Sequence, residues 1–450
     1  MKPVRDDNEA VQGRIEALLA ESDLAAASLL VGDLHPSDLA DIVERLEDRY
    51  RVAFLSALPT EVAGETLAEM EHGEDRGDLL AALTTEKGAE LLEDLADDDA
   101  ADLIGELEPP EQKKLLDALP DETAGYLIGL LQYDAESAGG LMTLDLVAVE
   151  GSVSAATALE QVRLQGREVE EFYTVFVVDG SRRLLGTLRL DDLVIADPSS
   201  SIDGLVTEPV ATVDPHDDQE EVSRLISRYN LAAIPVVSPD GHLLGRITFD
   251  DVIDVLEAEQ TEDILRLAGI ADEDELRHNW VESVRTRLPW LVLNLVTASL
   301  AALVILVYED VIQQVITLAF LAPIIAALGG SSGTQSLAIT IRRLTIEGPG
   351  GAHGFVLKEI LIGLVIGGVL GVGIAVLAII VDGSPMLGLV VMLAMWGNQV
   401  VAGFAGAFVP ATLDRIGVDP SVASSVFVHT LTDLCGFFLL LGLASKLLLN

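Results

Sequence analysis

The chain has 450 residues, with 73 Asp and Glu against 27 Lys and Arg, a net charge of −46 and 50% hydrophobic side chains. A chain this negative repels nucleic acid and attracts cations, and its length exceeds what one domain usually holds. The single cysteine, Cys435, excludes an intrachain disulfide, and the opening MKPVRDDNEA lacks the apolar core of a cleaved leader, which leaves the acidic part in the cytoplasm. The charge is uneven. From Leu288 onward five basic side chains face eight acidic ones, so about −43 of the −46 lies in residues 1–287. A solvated surface suited to a high-salt cytoplasm accounts for most of these acids, and only acids at particular positions are candidate ligands.

Residues 1–133 carry no strand signals. Leu95, Leu107 and Leu119 recur at a fixed step, as do Leu103, Leu115 and Leu127, with Pro109, Pro110 and Pro120 near the joins. This pattern predicts short amphipathic helices stacked into a small superhelix. Residues 142–257 hold an internal repeat. Val177-Val178, Leu184-Leu185-Gly186 and Asp191-Asp192 return as Val236-Val237, Leu243-Leu244-Gly245 and Asp250-Asp251. Apolar strand runs, a glycine turn and paired acids at a helix start describe one β-turn-β-α unit used twice. The arrangement resembles a tandem pair of CBS modules, a family of regulatory domains that sense small ligands. In the second copy Gly245, Thr248 and Asp250 fit that family's nucleotide pattern, which makes ATP a candidate ligand at Thr248 and Asp250. The first copy has Arg189 in place of the Thr. Gln260 to Arg287 reads as a helical connector into the membrane part.

Five apolar segments reach the roughly 20 residues that span a bilayer: 288–307, 311–330, 356–381, 386–410 and 422–449. Basic residues precede the first span and lie between the second and third and between the fourth and fifth. Glu309, Asp310 and Asp382 mark the other connections. The positive-inside rule then puts the N-terminus in the cytoplasm and the C-terminus outside. Glycines such as Gly363, Gly367, Gly368, Gly371, Gly373, Gly403 and Gly406 are read as packing residues, since small side chains let helices approach in lipid. The run Gly329 to Gln335 is glycine-rich and polar enough to be either irregular backbone lining a cavity or a helix end near the cytoplasm. Asn398, within the fourth span, is read as either an interhelical hydrogen-bonding residue or part of the same polar path. Asp433 sits inside the last apolar run, where a central carboxylate costs roughly 2.5–3.5 kcal/mol to insert and usually marks an ion path. His429 is four residues away on the same helical face, either satisfied by that carboxylate or serving as a second metal ligand.

The order of parts, together with GGSSGTQS at 329–336, RLPW at 287–290, Ala-Gly-Gly-Leu-Met-Thr at 138–143 and Thr-Leu-Thr-Asp ending at Asp433, resembles the MgtE family of magnesium transporters and channels. The resemblance implies a multidomain integral membrane protein and not an enzyme. Its parts are an all-α superhelical domain (1–133), an α/β tandem CBS domain (134–259), a connecting plug helix (260–287) and a five-helix pore domain (288–450). It further implies a homodimer in the cell membrane with a pore on its two-fold axis, carrying Mg2+ past Asp433 with Ser331, Ser425 and His429 nearby. Two facing carboxylates suit magnesium, which keeps its octahedral water shell and can be held through those waters. The family's Mg2+-sensing acids carry over onto Glu65, Asp98, Asp102, Asp218, Glu220, Asp251, Asp254, Glu259, Glu262 and Asp263. Asn230 stands where an acid is expected, so one sensing site is expected to be weak or absent. Ser331 and Ser425 replace asparagines common in relatives, which changes the pore entry. Cobalt, nickel or zinc as cargo, with His429 and Cys435 as softer ligands, is the alternative transport reading. A membrane-anchored sensor without conduction is the alternative from another class.

Overall fold

A leucine followed closely by proline, threonine or aspartate ends one helix and starts the next throughout the first part of the chain. The computed structural model describes residues 4–32, 34–70, 74–167, 169, 172–270, 280–347, 354–416, 418, 420–422 and 425–449, which fall into two units, Met1–Leu256 and Glu257–Asn450.

The first unit begins with α1 (Val4–Ala20), α2 (Leu24–Leu29), α3 (Pro36–Arg45), α4 (Asp48–Ala57) and α5 (Thr60–Ala68). It continues with α6 (Glu74–Ala82), α7 (Thr85–Asp94), α8 (Asp97–Gly105), α9 (Pro109–Leu116) and α10 (Asp121–Leu130). Leu46, Leu58 and Leu95 leave their helices in extended backbone, which forbids a further helical turn and redirects the chain. Leu46, Leu58, Met70, Leu83, Leu107 and Leu119 are buried at these exits, and Leu103, Leu115 and Leu127 are buried inside the helices. Each residue of this kind contributes about 1.5–3 kcal/mol by leaving water. α3 packs on α5, α5 on α7 and α7 on α9, while α2, α4, α6, α8 and α10 pack in the same alternating way. Two layers of helices result, the stacked superhelix expected from the leucine spacing. Arg76 is buried between them, its Nε 2.7 Å from Glu106 Oε1 and its Nη1 donating to the carbonyls of Ala68 and Met70.

The repeat follows. β1 (Ala148–Glu150) leads through α11 (Ala155–Gln165) to β2 (Thr174–Val178), β3 (Leu184–Arg189) and α12 (Leu190–Ile195). α13 (Gln219–Tyr229) then leads to β4 (Ala233–Val237), β5 (Leu243–Thr248) and α14 (Phe249–Leu267). β1 pairs parallel with β2, and β2 antiparallel with β3. In the second copy β4 pairs antiparallel with β5, and Val213 forms a parallel bridge to Val236 in the place of β1. The duplication extends to a backbone irregularity. The register shifts between Val177 and Val178 and again between Val236 and Val237, the corresponding position. Gly186 and Gly245 also serve one purpose: a Cβ would come within 2.7 Å of Thr207 O in the first copy and 2.6 Å of Thr143 O in the second. Thr143 exchanges backbone hydrogen bonds with Arg246, so the 138–143 run is tied to the second copy.

In the second unit, α15 (Trp280–Val307), α16 (Glu309–Gln314), α17 (Thr317–Glu347), α18 (Phe355–Asp382), α19 (Pro385–Arg415) and α20 (Ser425–Leu448) follow. Among the described residues five helices, α15 and α17–α20, are long and apolar enough to cross a membrane. Residues 271–279 of the expected connector lie outside the described residues. α19 is central, with Val390, Val391, Ala394 and Met395 buried against Leu318, Leu321 and Ile325 of α17, Ile374 and Ala378 of α18 and Leu440 and Leu441 of α20. The expected second span of 311–330 needs correction. The chain turns at Val315, begins α17 at Thr317, and stays helical through Gly329–Gln335 to Glu347. That segment is therefore neither irregular backbone nor a helix end.

Small residues set the helix spacing. Gly363, Gly367 and Gly371 recur once per turn on α18, and a Cβ at them would lie 2.5 Å from Gln399 O, 2.9 Å from Trp396 Cδ1 and 2.9 Å from Met392 O of α19. A Cβ at Gly406 would lie 2.5 Å from Gly333 O of α17, whereas Gly368 and Gly373 have nothing within 4 Å. Packing thus explains the first four glycines and not the last two. Gly363→Ala should lower the thermal midpoint of the detergent-purified protein, because overpacking against backbone costs about 1–3 kcal/mol. Gly368→Ala should leave it unchanged or raise it, since alanine favours helix by roughly 0.5–1 kcal/mol.

Candidate functional site

The polar positions of the membrane half gather where α17 and α20 meet. Serine and glycine there remain helical because partner helices fill the space that side chains would take. Gly329 lies under the Asn398 amide, Gly330 under the imidazole of His429 and Gly333 under Val428. Asn398 is fully buried on α19 and donates from Nδ2 to Ile325 O at 3.1 Å, and Gln399 donates from Nε2 to Leu328 O at 3.1 Å. The expected interhelical role of Asn398 matches this bond. Both amide oxygens and Thr334 Oγ1 are buried without a hydrogen-bond partner among the described residues.

Ser331 is exposed on α17, adjoining the glycine that His429 covers, and Ser425 opens α20 half-buried. Asp433 is half-buried on α20 and has no hydrogen bond or ion pair among the described residues. His429 and Asp433 share no hydrogen bond or ion pair among the described residues, although the imidazole is near enough to act on the carboxylate electrostatically. Nδ1 of His429 instead lies 2.7 Å from the carbonyl oxygen of Ser425 one turn back, so it carries the proton and donates it. The backbone carbonyl, already placed at hydrogen-bond range by the helix, outcompetes a carboxylate that can stay hydrated. Thr432 is buried and donates back to its own helix at Val428 O, 3.0 Å away, which turns its hydroxyl from the Asp433 side.

A second gathering of charge lies in the first unit. Asp97, Asp98 and Asp99 occupy the first turn of α8, and Asp250 and Asp251 the first turn of α14. Asp98 and Asp251 come together there. Burial, then Asp251 and Asp99, hold the Asp98 carboxyl well above the usual carboxylate range, and its Oδ1 is buried without a hydrogen-bond partner among the described residues. Desolvation raises Asp251 to about 6 despite the hydroxyl of Thr248 donating to its Oδ2 at 2.7 Å. Desolvation, then Asp251, Asp102 and Glu69, raise Asp99 to about 6 against the pull of Arg76. Asp97 rises to about 6 through desolvation and Asp145. Desolvation lowers Arg246, although Asp98, Asp145, Asp250 and Asp251 surround it.

The structure therefore brings Asp98, Asp102, Asp251 and Asp254 into one electrostatic neighbourhood. Glu65 is exposed elsewhere on α5. Asp218 caps α13 by accepting from Glu220 N at 2.8 Å, and Glu220 is exposed beside it. Glu259, Glu262 and Asp263 lie further along α14 in the second unit, where Glu262 pairs with Arg266. Among the described residues no three His, Cys, Asp or Glu side chains form a ready-made metal cage. Sequence reasoning passed over Asp97, Asp99, Asp145 and Arg246, although the Asp97–Asp98–Asp99 run and the position of Arg246 between Gly245 and Thr248 were visible signals. Asn230 ends α13 in the left-handed region at φ 50°, which asparagine tolerates better than an acid with a longer side chain. In the first copy Arg189 clamps Asp191 with two bonds of 2.9 and 2.6 Å, whereas Thr248 in the second leaves Asp250 exposed.

Five helices long and apolar enough to cross a membrane, with a carboxylate in the last that makes no hydrogen bond or ion pair among the described residues, joined to an acidic part, describe an integral membrane transporter of cations. The comparisons agree. Residues 322–443 match the MgtE divalent cation transporter family, residues 34–136 the MgtE intracellular N domain and residues 202–258 the CBS domain. The magnesium transporter MgtE of Thermus thermophilus is 34% identical over 96% of this chain and 98% of its own length. That of Enterococcus faecalis is 36% identical over 70% of each chain, and that of Bacillus subtilis 30% over 96% of each. Among solved structures, the soluble part of a magnesium transporter covers 56% of this chain and 99% of itself at 30% identity and a TM-score of 0.51. The cytosolic domain of the Mg2+ channel MgtE in complex with ATP covers 54% and 99% at 34% identity and the same score. The chain belongs to the MgtE family of magnesium transporters.

The raised carboxyls have a pH signature. A carboxyl held above its unfolded value contributes stability that is complete below about pH 4 and lost as pH rises through its folded value, here about 6 for Asp97, Asp99 and Asp251. Without divalent cations, Asp98→Asn should raise the thermal midpoint by several degrees at pH 7.5 and by much less at pH 5, read by calorimetry of the whole protein.

Proposed function

We propose that this chain forms a homodimer in the cell membrane that conducts magnesium selectively inward past Asp433, with its N-terminus in the cytoplasm and its C-terminus outside. The observation that carries this reading is the Asp433 carboxylate, half-buried in a membrane-crossing helix with no hydrogen bond or ion pair among the described residues. A carboxylate left this way offers charge to a cation, and two of them from two protomers suit an ion that keeps its water shell. Ser331 and Ser425 supply hydroxyls to those waters from α17 and α20. Substrate binding requires no dehydration at this point, which favours a fast, channel-like passage.

Regulation follows from the cytosolic acids. The like charges of Asp98, Asp99 and Asp251, and those of Asp97 and Asp145, destabilise one another without a counter-ion. Internal magnesium at this cluster, and separately at the acids Glu65, Asp102, Asp218, Glu220, Asp254, Glu259, Glu262 and Asp263, favours a closed state, and its loss frees the pore. The ion thereby controls its own entry through unequal affinity for two states. ATP, present in the related cytosolic domain, is the proposed ligand of the exposed Asp250 and the half-buried Thr248 of the second copy.

Asp433→Asn in proteoliposomes carrying a magnesium-sensitive dye should cut Mg2+ flux at least tenfold, and undiminished flux would overturn the proposed route. Limited proteolysis of the metal-free protein should cut faster than with millimolar Mg2+, and Asp98→Asn with Asp251→Asn should remove most of that difference.

A further inference from the structure

Arg246 is buried at 6% exposure within β5, in the copy of the repeat that carries Asp250 and Asp251. An arginine keeps its charge and is rarely taken out of water, so this placement needs a reason. The Arg246 backbone exchanges two hydrogen bonds with Thr143, and its Nε donates to Asp145 O at 2.7 Å, which fixes where the guanidinium stands. Around it lie the carboxyls of Asp98 from α8, of Asp145 from the stretch before β1, and of Asp250 and Asp251 from the first turn of α14. Three separate segments thus bring acids to one buried cation.

The first copy of the repeat gives an internal comparison. Its residue at the matching position is Thr187, which follows Gly186 as Arg246 follows Gly245. Thr187 exchanges the same pair of backbone hydrogen bonds, with Thr207, and its strand forms equally well. The fold of a copy therefore does not require a guanidinium at this point. What differs is the charge nearby. In the first copy Asp191 is exposed and held at the surface by Arg189. In the second copy Asp251 meets Asp98 of α8, whose Oδ1 is buried without a hydrogen-bond partner among the described residues.

One guanidinium among these carboxyls offsets part of their mutual repulsion when no metal is present, and it repels a divalent cation that approaches the same carboxyls. We propose that Arg246 is a tethered counter-cation that competes with magnesium for the carboxyls of Asp98 and Asp251 and so sets the concentration at which the ion binds. The inference rests on the Mg2+ regulation proposed above. Arg246 acts on the ion through the acids and is not itself a ligand, since a guanidinium has no acceptor to give. By steadying the metal-free packing and weakening the hold on the ion, its charge moves the response to higher magnesium.

Thermal unfolding of the full detergent-purified chain, followed from chelator to saturating Mg2+, tests this on the native protein, Arg246→Gln and Arg246→Lys. Arg246→Gln should lower the midpoint in chelator by several degrees and approach the native midpoint in saturating Mg2+. Its half-response should fall to a roughly ten-fold lower Mg2+ concentration, as expected when a unit charge beside a divalent ion is removed. Arg246→Lys keeps the charge without the guanidinium fork, and its half-response should stay within about two-fold of native. On a background of Asp98→Asn with Asp251→Asn, Arg246→Gln should no longer move the half-response, and a persisting shift overturns the competition. A midpoint lowered equally at every Mg2+ concentration makes Arg246 a structural residue and overturns the proposal, as does a weaker Mg2+ response in Arg246→Gln. Should that variant fail to fold, Arg246→Met fills the same buried space without the charge and carries the same expectations. A native protein with no Mg2+ response overturns the regulatory reading and this inference with it, whereas a native response that loss of the charge leaves unmoved overturns this inference alone.

Discussion

α17, α19 and α20 approach so closely that a methyl group does not fit at Gly329, Gly330, Gly333 or Gly406. In lipid no hydrophobic force draws helices together, so contact of this quality and the amide bonds of Asn398 and Gln399 must hold them. The close approach has a chemical result. It keeps a polar, glycine-rich stretch helical, with every backbone group satisfied, where a lipid-facing version would unravel. Ser331 and the face of α20 bearing His429 are thereby set on rigid supports, and the pinning of His429 to Ser425 O fixes which ring nitrogen carries its proton.

The first unit is organised by the opposite kind of constraint. Two helix starts, each suited to negative charge by its dipole, meet with Asp98 and Asp251 between them. Dipoles ease the cost of the acids without cancelling their mutual repulsion, and the guanidinium groups of Arg76 and Arg246 only flank the cluster. A packing that depends on partial neutralisation responds to whatever cation the solution supplies. α14 starts at this cluster and is a single helix as far as Leu267, so a change at its first turn acts on a stiff element.

Much of this was readable from residues alone. Apolar runs announced the five helices long enough to cross a membrane, and the displaced copies of Leu-Leu-Gly and Asp-Asp announced the duplicated unit, although Gly186 and Gly245, read as turn residues, lie inside β3 and β5, where a side chain would strike a neighbouring carbonyl. Gly329–Gln335 was harder, since glycine and serine lower helix propensity locally while the atoms that compensate, on Asn398, Val428 and His429, belong to residues far away in sequence. The same reason hid the true partner of His429: a four-residue spacing offers both a side chain and a backbone carbonyl, and only geometry chooses. Asp97, Asp99 and Arg246 became meaningful once folding placed α8 beside the start of α14.

The leucine exits of the first unit also bear on how this part of the chain can change over time. Leu46, Leu58 and Met70 are evenly phased, as are Leu83, Leu95, Leu107 and Leu119, with one extra residue between the two series. Losing or gaining a single amino acid within either series would rotate every later apolar side chain out of the interior, whereas adding or removing an entire helical module keeps the phase. Length variation among descendants of this chain is therefore expected in whole modules, or at the junction after Met70 where the rhythm already skips a beat.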